Sequence, residues 1–320
     1  MDVAEAARRL AQGEVVAFPT ETVYGLGADA ANPAAAAKIF ALKGRPADHP
    51  LIVHVRDAAA MAEWTREVPE FARKLAERFW PGPLTMILTR SARVPSAVTG
   101  GQETVGLRCP SNPVAQELLR EFARVGSGAI AAPSANKFGH VSPTTAEHVR
   151  EEFGDAVPVL DGGACDVGIE STIVDLSRGE PVLLRPGAVT RDEIEEVLDV
   201  TVHDRDAAAP RASGTLAAHY APRTTLVLVT PGTLDDEVRS LTNVAVLAMR
   251  QAPRNALVTA WIAASPIPER YGHDLYANLR KLDASGAKRI LVEVPPDGPE
   301  WEAIADRLSR AAAGASGEEP

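Results

Sequence analysis

The sequence predicts an α/β protein built from two domains. Short apolar runs that suit buried strands alternate with longer segments of helical periodicity. The alternation lapses over residues 201–223, where Ala, Pro and Gly dominate, and it restarts at Thr224. A chain of 320 residues is also long enough to form two hydrophobic cores. We therefore predict a larger domain at residues 1–200, a linker at 201–223 and a smaller domain at 224–320.

The first domain opens with alternating helices and strands. The periodicity predicts a helix over 3–12, a buried strand over 14–18 and a loop over 20–27. Asn32-Pro33 is a helix N-cap followed by proline, and Gly44 is a natural C-cap, so a helix over 33–43 follows. A second strand is then predicted over 51–55.

The same reasoning continues to the end of this domain. One or two helices, broken near Pro69, are predicted within 61–79. The remaining predicted elements are strands at 84–89, 103–108, 126–132 and within 169–175, and helices at 113–124, from about Thr144 and at 190–198.

The second domain repeats the alternation in a shorter chain. Strands are predicted at 225–229, 244–248 and 289–294, with helices at 234–241, 275–285 and 300–312. Such alternation is typical of a small parallel sheet, Rossmann-like in shape. The domain has no G-x-G-x-x-G sequence, so dinucleotide binding is not inferred. The tail from Gly314 is predicted to be disordered.

Two basic residues close the helix over 33–43. Lys43 and Arg45 come just before a strand and beside a loop rich in hydroxyls, which favours an anion site. The alternative is that cations at a helix C-terminus only complement its macrodipole.

Polar residues also stand at the ends of predicted strands. Arg108 closes the run ETVGLR, and Ser134 and Asn136 follow the strand that ends at Ala132. In α/β sheets the carboxyl ends of strands tend to hold ligands. The alternatives are a surface salt bridge for Arg108 and ordinary turn chemistry for Ser134 and Asn136.

Composition and missing motifs narrow the class of protein. Only two cysteines are present, which excludes a disulfide framework and a four-cysteine zinc site and favours a reducing cytoplasm. No apolar run approaches the length of a membrane span. There is no P-loop, no G-x-S-x-G and no H-E-x-x-H. His49 and His54 lie close in sequence, but no further zinc ligands accompany them.

Three motifs together resemble the YrdC-domain family, the threonylcarbamoyl-AMP synthases. They are the segment PTETVYGL at 19–26, the Lys-x-Arg pair at 43–45 and the Ser-x-Asn pair at 134–136. The resemblance covers most of residues 5–200, and the rest of the chain continues as the long, two-domain form of the family does. It implies a twisted mixed sheet with helices in the first domain.

The resemblance also implies an activity. L-Threonine, bicarbonate or CO₂, and ATP would give threonylcarbamoyl-adenylate and pyrophosphate, with Mg²⁺ accompanying ATP and no tightly bound organic cofactor. The product would feed the threonylcarbamoyladenosine modification of tRNA through a separate transfer enzyme. Such a reaction needs alignment, charge stabilisation and dryness rather than a protein nucleophile.

Site residues follow from the same resemblance. Lys43 and Arg45 match the catalytic cations. The positions that match threonine contacts are Thr22, His54, Arg108, Ala132 and Ser171. The positions that match ATP contacts are Arg45, His49, Thr104, Ser134, Asn136, Ser142, Arg185 and Tyr220. No Mg²⁺ ligands are identifiable from the sequence. Ser142 has an alternative role as the cap of the next helix.

The linker departs from the family pattern. Relatives read close to S-P-G-M before H-Y-A-P, whereas this chain has ASGTLAAHYAP at 212–222. One interpretation is an ordinary tether whose tyrosine packs in the protein. The other is a lid in which Tyr220 covers the nucleotide and keeps water from the adenylate.

Two other functions compete with this interpretation. The first is an RNA-binding or ribosome-maturation module, which would require a basic face. Residues 1–200 carry 20 Lys and Arg against 28 Asp and Glu, which argues against this rival while leaving weak tRNA binding compatible. The second is a carbamoyl-transfer or hydrogenase-maturation enzyme, which would need zinc-finger-like and acylphosphatase-like parts.

Overall fold

A computed structural model describes residues 1–315, and its contacts divide the chain into two compact units. The first unit comprises 1–138, 143–166 and 170–215. The second comprises 139–142, 167–169 and 216 onward. No helix among the described residues has the length and hydropathy needed to cross a membrane.

A nine-stranded mixed sheet organises the first unit. Its strands are β1 (Val16–Phe18), β2 (Gly25–Asp29), β3 (Ile52–Val55), β4 (Leu84–Thr89), β5 (Thr104–Arg108), β6 (Ala129–Ala132), β7 (Thr172–Asp175), β8 (Val182–Arg185) and β9 (His203–Asp204). Their spatial order is β1-β2-β6-β3-β5-β4-β7-β8-β9. β3 and β7 run parallel to β5 and β4 respectively, whereas β4 and β5 are antiparallel.

The α-helices described in this unit are α1 (Val3–Ala11), α2 (Pro33–Lys43), α3 (Met61–Trp64), α4 (Glu70–Phe79), α5 (Pro113–Val125), α6 (Ala146–Phe153) and α7 (Arg191–Leu198). All except α3 and α4 begin at a side-chain cap that the sequence supplies. Asn32 and Asn112 each accept two backbone N–H groups at the start of α2 and α5. Gly44 ends α2 at φ 66°, a left-handed conformation that favours glycine.

The two faces of the sheet bury different clusters. Alternation along the strands sends Val53, Met86 and Leu107 into the main core with α2, α4 and α7. On the opposite face, α1 and α5 pack over Phe18 and Ile130 near β1 and β6. The opposite face also carries a second hydrophobic cluster, which comprises Ile52, Ile87, Ile173, Val182, Leu184 and Ala212. Between the two clusters of this face the strands carry polar side chains.

The second unit is a four-stranded parallel sheet in the order β10-β13-β11-β12. Its strands are β10 (Thr225–Val229), β11 (Val244–Ala248), β12 (Ala260–Ala263) and β13 (Arg289–Glu293), and its helices are α8 (Leu234–Ser240), α9 (Pro268–Asp283) and α10 (Glu302–Ala315). The α/β fold, the mixed first sheet and the parallel second sheet are confirmed.

Several local predictions were wrong. The predicted loop over 20–27 ends in β2, because glycines there accommodate the ring of Phe18: a Cβ at Gly27 would lie 2.8 Å from Phe18 Cε1. The helix predicted at 275–285 begins at Pro268, and β12 was not predicted. Thr145, not Ser142, caps α6. Gly314 lies in α10, and the rest of the predicted disordered tail, from residue 316, lies outside the described residues.

Candidate active site

A row of polar side chains crosses the sheet where its neighbours are apolar. His54 on β3 lies opposite Arg108 on β5, and Arg108 lies opposite Thr85 on β4. All three are buried. Gly106 is the next residue on this face of β5, and the side chain of Ile87 packs over it, because a Cβ there would lie 3.1 Å from Ile87 Cδ1. The three polar side chains therefore form a buried polar row beside an apolar position.

Arg108 is held by a carboxylate that the sequence analysis did not select. Its Nη2 atom lies 2.6 Å from Oε1 of Glu21, and the two side chains are 5% and 4% exposed. The other oxygen, Oε2, accepts the backbone N–H of Ser111 at 3.1 Å. The Nε atom of Arg108 is buried without a hydrogen-bond partner among the described residues. A planar guanidinium with an unused donor is suited to a carboxylate ligand.

Ser171 joins this row to the next basic residue. Its hydroxyl is 2.8 Å from the hydroxyl of Thr85. Arg185 donates from Nε and Nη2 to the carbonyl of Ser171, at 3.1 and 2.8 Å, and from Nη2 to its hydroxyl at 3.2 Å. Ser171 is thus fixed from both sides, by the hydroxyl of Thr85 and by the guanidinium of Arg185.

The segment that carries Glu21 is folded around one hydroxyl. Oγ1 of Thr20 accepts from the N–H groups of Thr22 and Val23, each at 3.2 Å, and donates to the carbonyl of Val23 at 2.6 Å. It also lies 2.9 Å from the hydroxyl of Thr22. Thr20 and Thr22 are buried, so this turn is rigidly placed at the row.

Lys43 lies at the other side of the site. The side chain is buried, and its Nζ atom donates to the carbonyl of Ser134 at 2.7 Å and to that of Asn136. Burial and the neighbouring charge of Arg45 lower the pKa of Lys43 well below its ordinary value. Lys43 therefore ties the end of α2 to the Ser-x-Asn loop, and the charge of Glu152 raises its pKa in part.

Arg45 and Arg185 both contact the middle of the linker, at Ser213. Arg45 donates to the carbonyl of Pro50 at 3.1 Å and to the hydroxyl of Ser213 at 3.4 Å. Arg185 donates to the carbonyl of Ser213 at 2.8 Å. Beside them, residues 211–213 leave a crevice of about 10 Å³ next to Thr104, which is close to room for one water. The linker therefore covers this side of the sheet.

Histidines in the site are neutral. Burial and the adjacent charge of Arg108 lower the pKa of His54 to about 3. Its Nδ1 atom is 3.3 Å from the carbonyl of Ile130. Burial also lowers the pKa of His49, whose ring meets that of Phe138 edge-on at 5.4 Å between centroids. Neither imidazole supplies a positive charge near neutral pH.

Both cysteines are free, buried thiols. Burial raises the pKa of Cys109 to about 11 and that of Cys165 to about 12. They therefore remain protonated and are poor nucleophiles. Among residues 1–315, no group of three or more His, Cys, Asp or Glu side chains could hold a metal ion.

Four of the fourteen predicted site residues lie on one path. From Arg108 the path passes by strand register to Thr85, and then by hydrogen bonds through Ser171, Arg185 and Ser213 to Arg45. Lys43 separately contacts Ser134 and Asn136. Of the remaining predicted residues, Ala132 lies opposite Ile52 at the end of β6, and Ser142 and Tyr220 belong to the second unit. The sequence analysis missed Glu21, Thr20 and Thr85. Each is a polar residue inside or beside a buried apolar run, and that is the signal that could have found them.

Within the second unit, Tyr220 is buried and adopts φ 61°. Its ring stacks on that of Tyr276 at 5.8 Å, and the guanidinium of Arg307 lies 5.4 Å from the ring centroid. The backbone carbonyl of Arg310 accepts the N–H of His219, and its guanidinium donates to the carbonyl of Leu216. The end of the linker is therefore packed against α9 and α10.

Comparison with known proteins gives the relationship of the chain. Residues 8–187 match the Sua5/YciO/YrdC family model, described as telomere recombination. The chain belongs to the Sua5/YciO/YrdC family. Residues 189–313 match a second model, described as the threonylcarbamoyl-AMP synthase C-terminal domain. The family resemblance inferred from the three motifs is confirmed.

Individual members of the Sua5/YciO/YrdC family match almost the whole chain. Threonylcarbamoyl-AMP synthase of Pyrococcus abyssi is 38% identical over 96% of this chain and 92% of its own length. The protein of that name from Bacillus subtilis is 39% identical over 98% of this chain and 93% of its own. The crystal structure of P. abyssi Sua5 complexed with L-threonine aligns with a TM-score of 0.89 at 36% identity, covering 98% of this chain and 94% of that one.

Proposed function

We propose that this chain is a threonylcarbamoyl-AMP synthase, a nucleotidyltransferase that forms L-threonylcarbamoyladenylate and pyrophosphate from L-threonine, bicarbonate or CO₂, and ATP. The observation that carries the proposal is the path from Arg108 to Arg45, which follows strand register to Thr85 and hydrogen bonds from there. It places one buried guanidinium beside Glu21 and two further guanidinium groups at the linker. Two separated centres of positive charge suit an amino-acid carboxylate and a polyphosphate.

Threonine is assigned to the polar row. The guanidinium of Arg108 would bind the carboxylate, since its Nε donor is buried and has no protein acceptor among the described residues. The hydroxyls of Thr22 and Ser171 and the neutral imidazole of His54 would contact the rest of the amino acid, with Ala132 beside it. The structure of P. abyssi Sua5 with L-threonine, which covers nearly the whole chain, supports the choice of substrate.

ATP is assigned to the cations and the Ser-x-Asn loop. Lys43 and Arg45 are the proposed catalytic residues, and they would stabilise negative charge on the phosphates as a carbamate oxygen attacks the α-phosphorus and pyrophosphate leaves. The other proposed ATP contacts are His49, Thr104, Ser134, Asn136, Ser142, Arg185 and Tyr220. A phosphate beside Lys43 would favour the charged ammonium that burial disfavours.

Mg²⁺ is proposed to enter on the ATP phosphates. The described residues offer no group of three acidic, histidine or cysteine ligands. Mg²⁺ commonly keeps several waters and binds nucleotide phosphates with few protein ligands, so the site fits an ion carried by its substrate better than a protein cage. When bound, it would add positive charge at the phosphates.

The middle of the linker, residues 211–213, is proposed to act as a cover. Ser213 contacts Arg45 and Arg185, and Ala212 packs with Ile52, Ile87 and Ile173. Residues 211–213 therefore lie where they would shield the adenylate from water. The altered S-P-G-M sequence retains Ser213, and its hydroxyl and carbonyl make these two contacts.

We also propose the domain boundaries of the chain, the machinery that uses its product and its cellular location. Residues 1–200 are the proposed catalytic domain, 201–223 the linker and 224–320 the C-terminal domain. We expect the product to be used by a separate tRNA threonylcarbamoyl-transfer machinery in the cytoplasm. The excess of acidic residues in 1–200 disfavours the RNA-binding alternative.

Pyrophosphate release by the purified full chain tests the proposal. Release from ATP should require both threonine and bicarbonate. Serine should be the best competing amino acid, because the missing methyl is worth about 1–3 kcal/mol in a fitted pocket. Turnover without threonine, or a preference for an unrelated amino acid, would overturn the assignment.

A further inference from the structure

Glu21 is an unusual feature of the polar row because it is a nearly inaccessible carboxylate with unused acceptor capacity. Oε2 accepts one backbone N–H, from Ser111. Oε1 lies 2.6 Å from Nη2 of Arg108, yet the geometry gives neither atom a hydrogen bond within residues 1–315. Buried charges ordinarily saturate their hydrogen-bonding groups. An acceptor on Glu21 and donors on Arg108 are thus left side by side.

This pairing of charges is complementary to an α-amino acid. Such a molecule carries a carboxylate and an ammonium on the same carbon, so its two charges must be buried together. Arg108 offers donors to the carboxylate, and Glu21, in contact with that guanidinium, offers an acceptor to the ammonium. The cost of removing the zwitterion from water falls when each of its charges meets an opposite one.

We infer that Glu21 recognises the α-amino group of the amino-acid substrate. The inference rests on the proposed function, because it takes Arg108 as the partner of the substrate carboxylate. Local structure supports it: Glu21 sits in the turn organised by the Thr20 hydroxyl, one residue from Thr22, and Ser111 fixes the rotation of its carboxylate.

The neighbours of Glu21 cannot take over this role. Among the described residues, titratable groups that interact with it include Arg108 and the thiols of Cys109 and Cys165. Burial raises the pKa of both thiols, so they stay neutral. His54, next along the row, is also neutral. Of these groups, the carboxylate of Glu21 alone carries a negative charge.

Binding measurements with two matched ligands test the inference. L-Threonine and (R)-3-hydroxybutyrate share the carboxylate and the β-hydroxyl, but the second lacks the amine. Displacement titrations on the full chain give the dissociation constant of each ligand, and the ratio of the two constants measures the preference for the amine. Glu21→Gln should weaken the binding of threonine about tenfold to a hundredfold, as expected for a lost charge-assisted contact. The dissociation constant of 3-hydroxybutyrate should stay within about threefold of the wild-type value. The preference for the amine should therefore collapse.

Controls separate recognition from folding. Glu14→Gln removes a carboxylate that pairs with Arg9 at 3.1 Å near the surface and should change neither affinity. Glu21→Asp keeps the charge and should retain the preference for threonine even where affinity falls. An unchanged ratio in Glu21→Gln, or equal weakening of both ligands as expected if Glu21 only orients Arg108, would overturn the inference. Failure of the wild-type chain to bind threonine would instead overturn the proposed function.

Discussion

Replacing Lys43 with methionine tests the catalytic assignment most directly. Lys43 is the last residue of α2, is 3% exposed and donates to the carbonyls of Ser134 and Asn136. Methionine keeps an unbranched stem of similar length and removes the amine. The substitution therefore deletes two hydrogen bonds to the Ser-x-Asn loop and any charge that Lys43 presents to a phosphate.

The two effects differ in size. Loss of a cation at the developing phosphate charge should cost about 2–4 kcal/mol of transition-state stabilisation, or about 30-fold to 1000-fold in kcat/KM for ATP. Two hydrogen bonds to backbone carbonyls contribute about 1–3 kcal/mol to folding. The removed amine no longer has to be desolvated, which offsets part of this loss. Activity should therefore fall far more than stability does.

The stability effect has a predictable pH dependence. Burial lowers the pKa of Lys43, so the unfolded chain binds more protons at this residue than the folded chain does. The contribution of Lys43 to the free energy of unfolding consequently rises with pH until the unfolded side chain titrates, at about pH 10.4. The advantage of wild type over Lys43→Met should thus be larger at about pH 9.5 than at about pH 7.

The activity effect is measured by pyrophosphate release at varied ATP concentrations. The stability effect is measured by urea unfolding at the two pH values. The control is Lys38→Met on the same helix, where an exposed lysine donates to the carbonyl of Gly13 at 2.6 Å. Lys38→Met should keep wild-type kinetics. If Lys43→Met stayed within threefold of wild type in kcat/KM for ATP, the placement of Lys43 at the phosphates would be refuted.

Three further predictions concern other parts of the chain. Arg108→Lys should raise the KM for threonine about tenfold or more while changing that for ATP little, because a point charge loses the bidentate grip; an unchanged threonine KM would contradict this. Tyr220→Ala should impair the use of ATP and increase the hydrolysis of the adenylate. Tyr220→Phe keeps the ring, so comparing it with Tyr220→Ala distinguishes the contribution of the ring from that of the hydroxyl. Wild-type behaviour of both variants would make the linker only a tether. Gly27→Ala should lower the free energy of unfolding in urea by about 1–3 kcal/mol, because its Cβ would lie 2.7 Å from Ile130 Cγ2; unchanged stability would show that the site relaxes freely.

Local signals predicted those parts of the fold that local chemistry determines. The cap at Asn32, the proline after it and the left-handed Gly44 fix both ends of α2 without help from the rest of the chain. β4 and β10 begin and end at the predicted residues because each is an apolar run between polar or proline-containing stretches.

Segments whose structure depends on distant partners were predicted less well. β2 contains two glycines, which favour a loop locally, yet Phe18 and Ile130 fill the space that side chains would occupy. β12 lies at the edge of the second sheet and lacks an alternating pattern. α9 begins seven residues before the prediction, although Pro268 marks its first turn.

The linker packs against the first sheet, although its composition predicts an irregular segment. Residues 201–223 have no periodicity, but β9 pairs with β8 and Ala212 joins a hydrophobic cluster with Ile52 and Ile87. A chain cut after residue 200 would lose both features and expose part of the sheet. A cut after Thr215 follows the contacts of the first unit and is the better test of what the remaining chain contributes.

The polar row was accessible to sequence reasoning in one respect and not in another. His54, Thr85 and Arg108 each interrupt an otherwise apolar strand, and a polar group buried in such a strand needs a partner. Each could therefore be selected one strand at a time. Their pairing depends on the register between β3, β5 and β4, and the ion pair of Arg108 with Glu21 depends on a turn outside the sheet. Local propensity encodes neither, so the chemistry of each residue was predictable while the zwitterion-binding geometry was visible only once the strands were placed side by side.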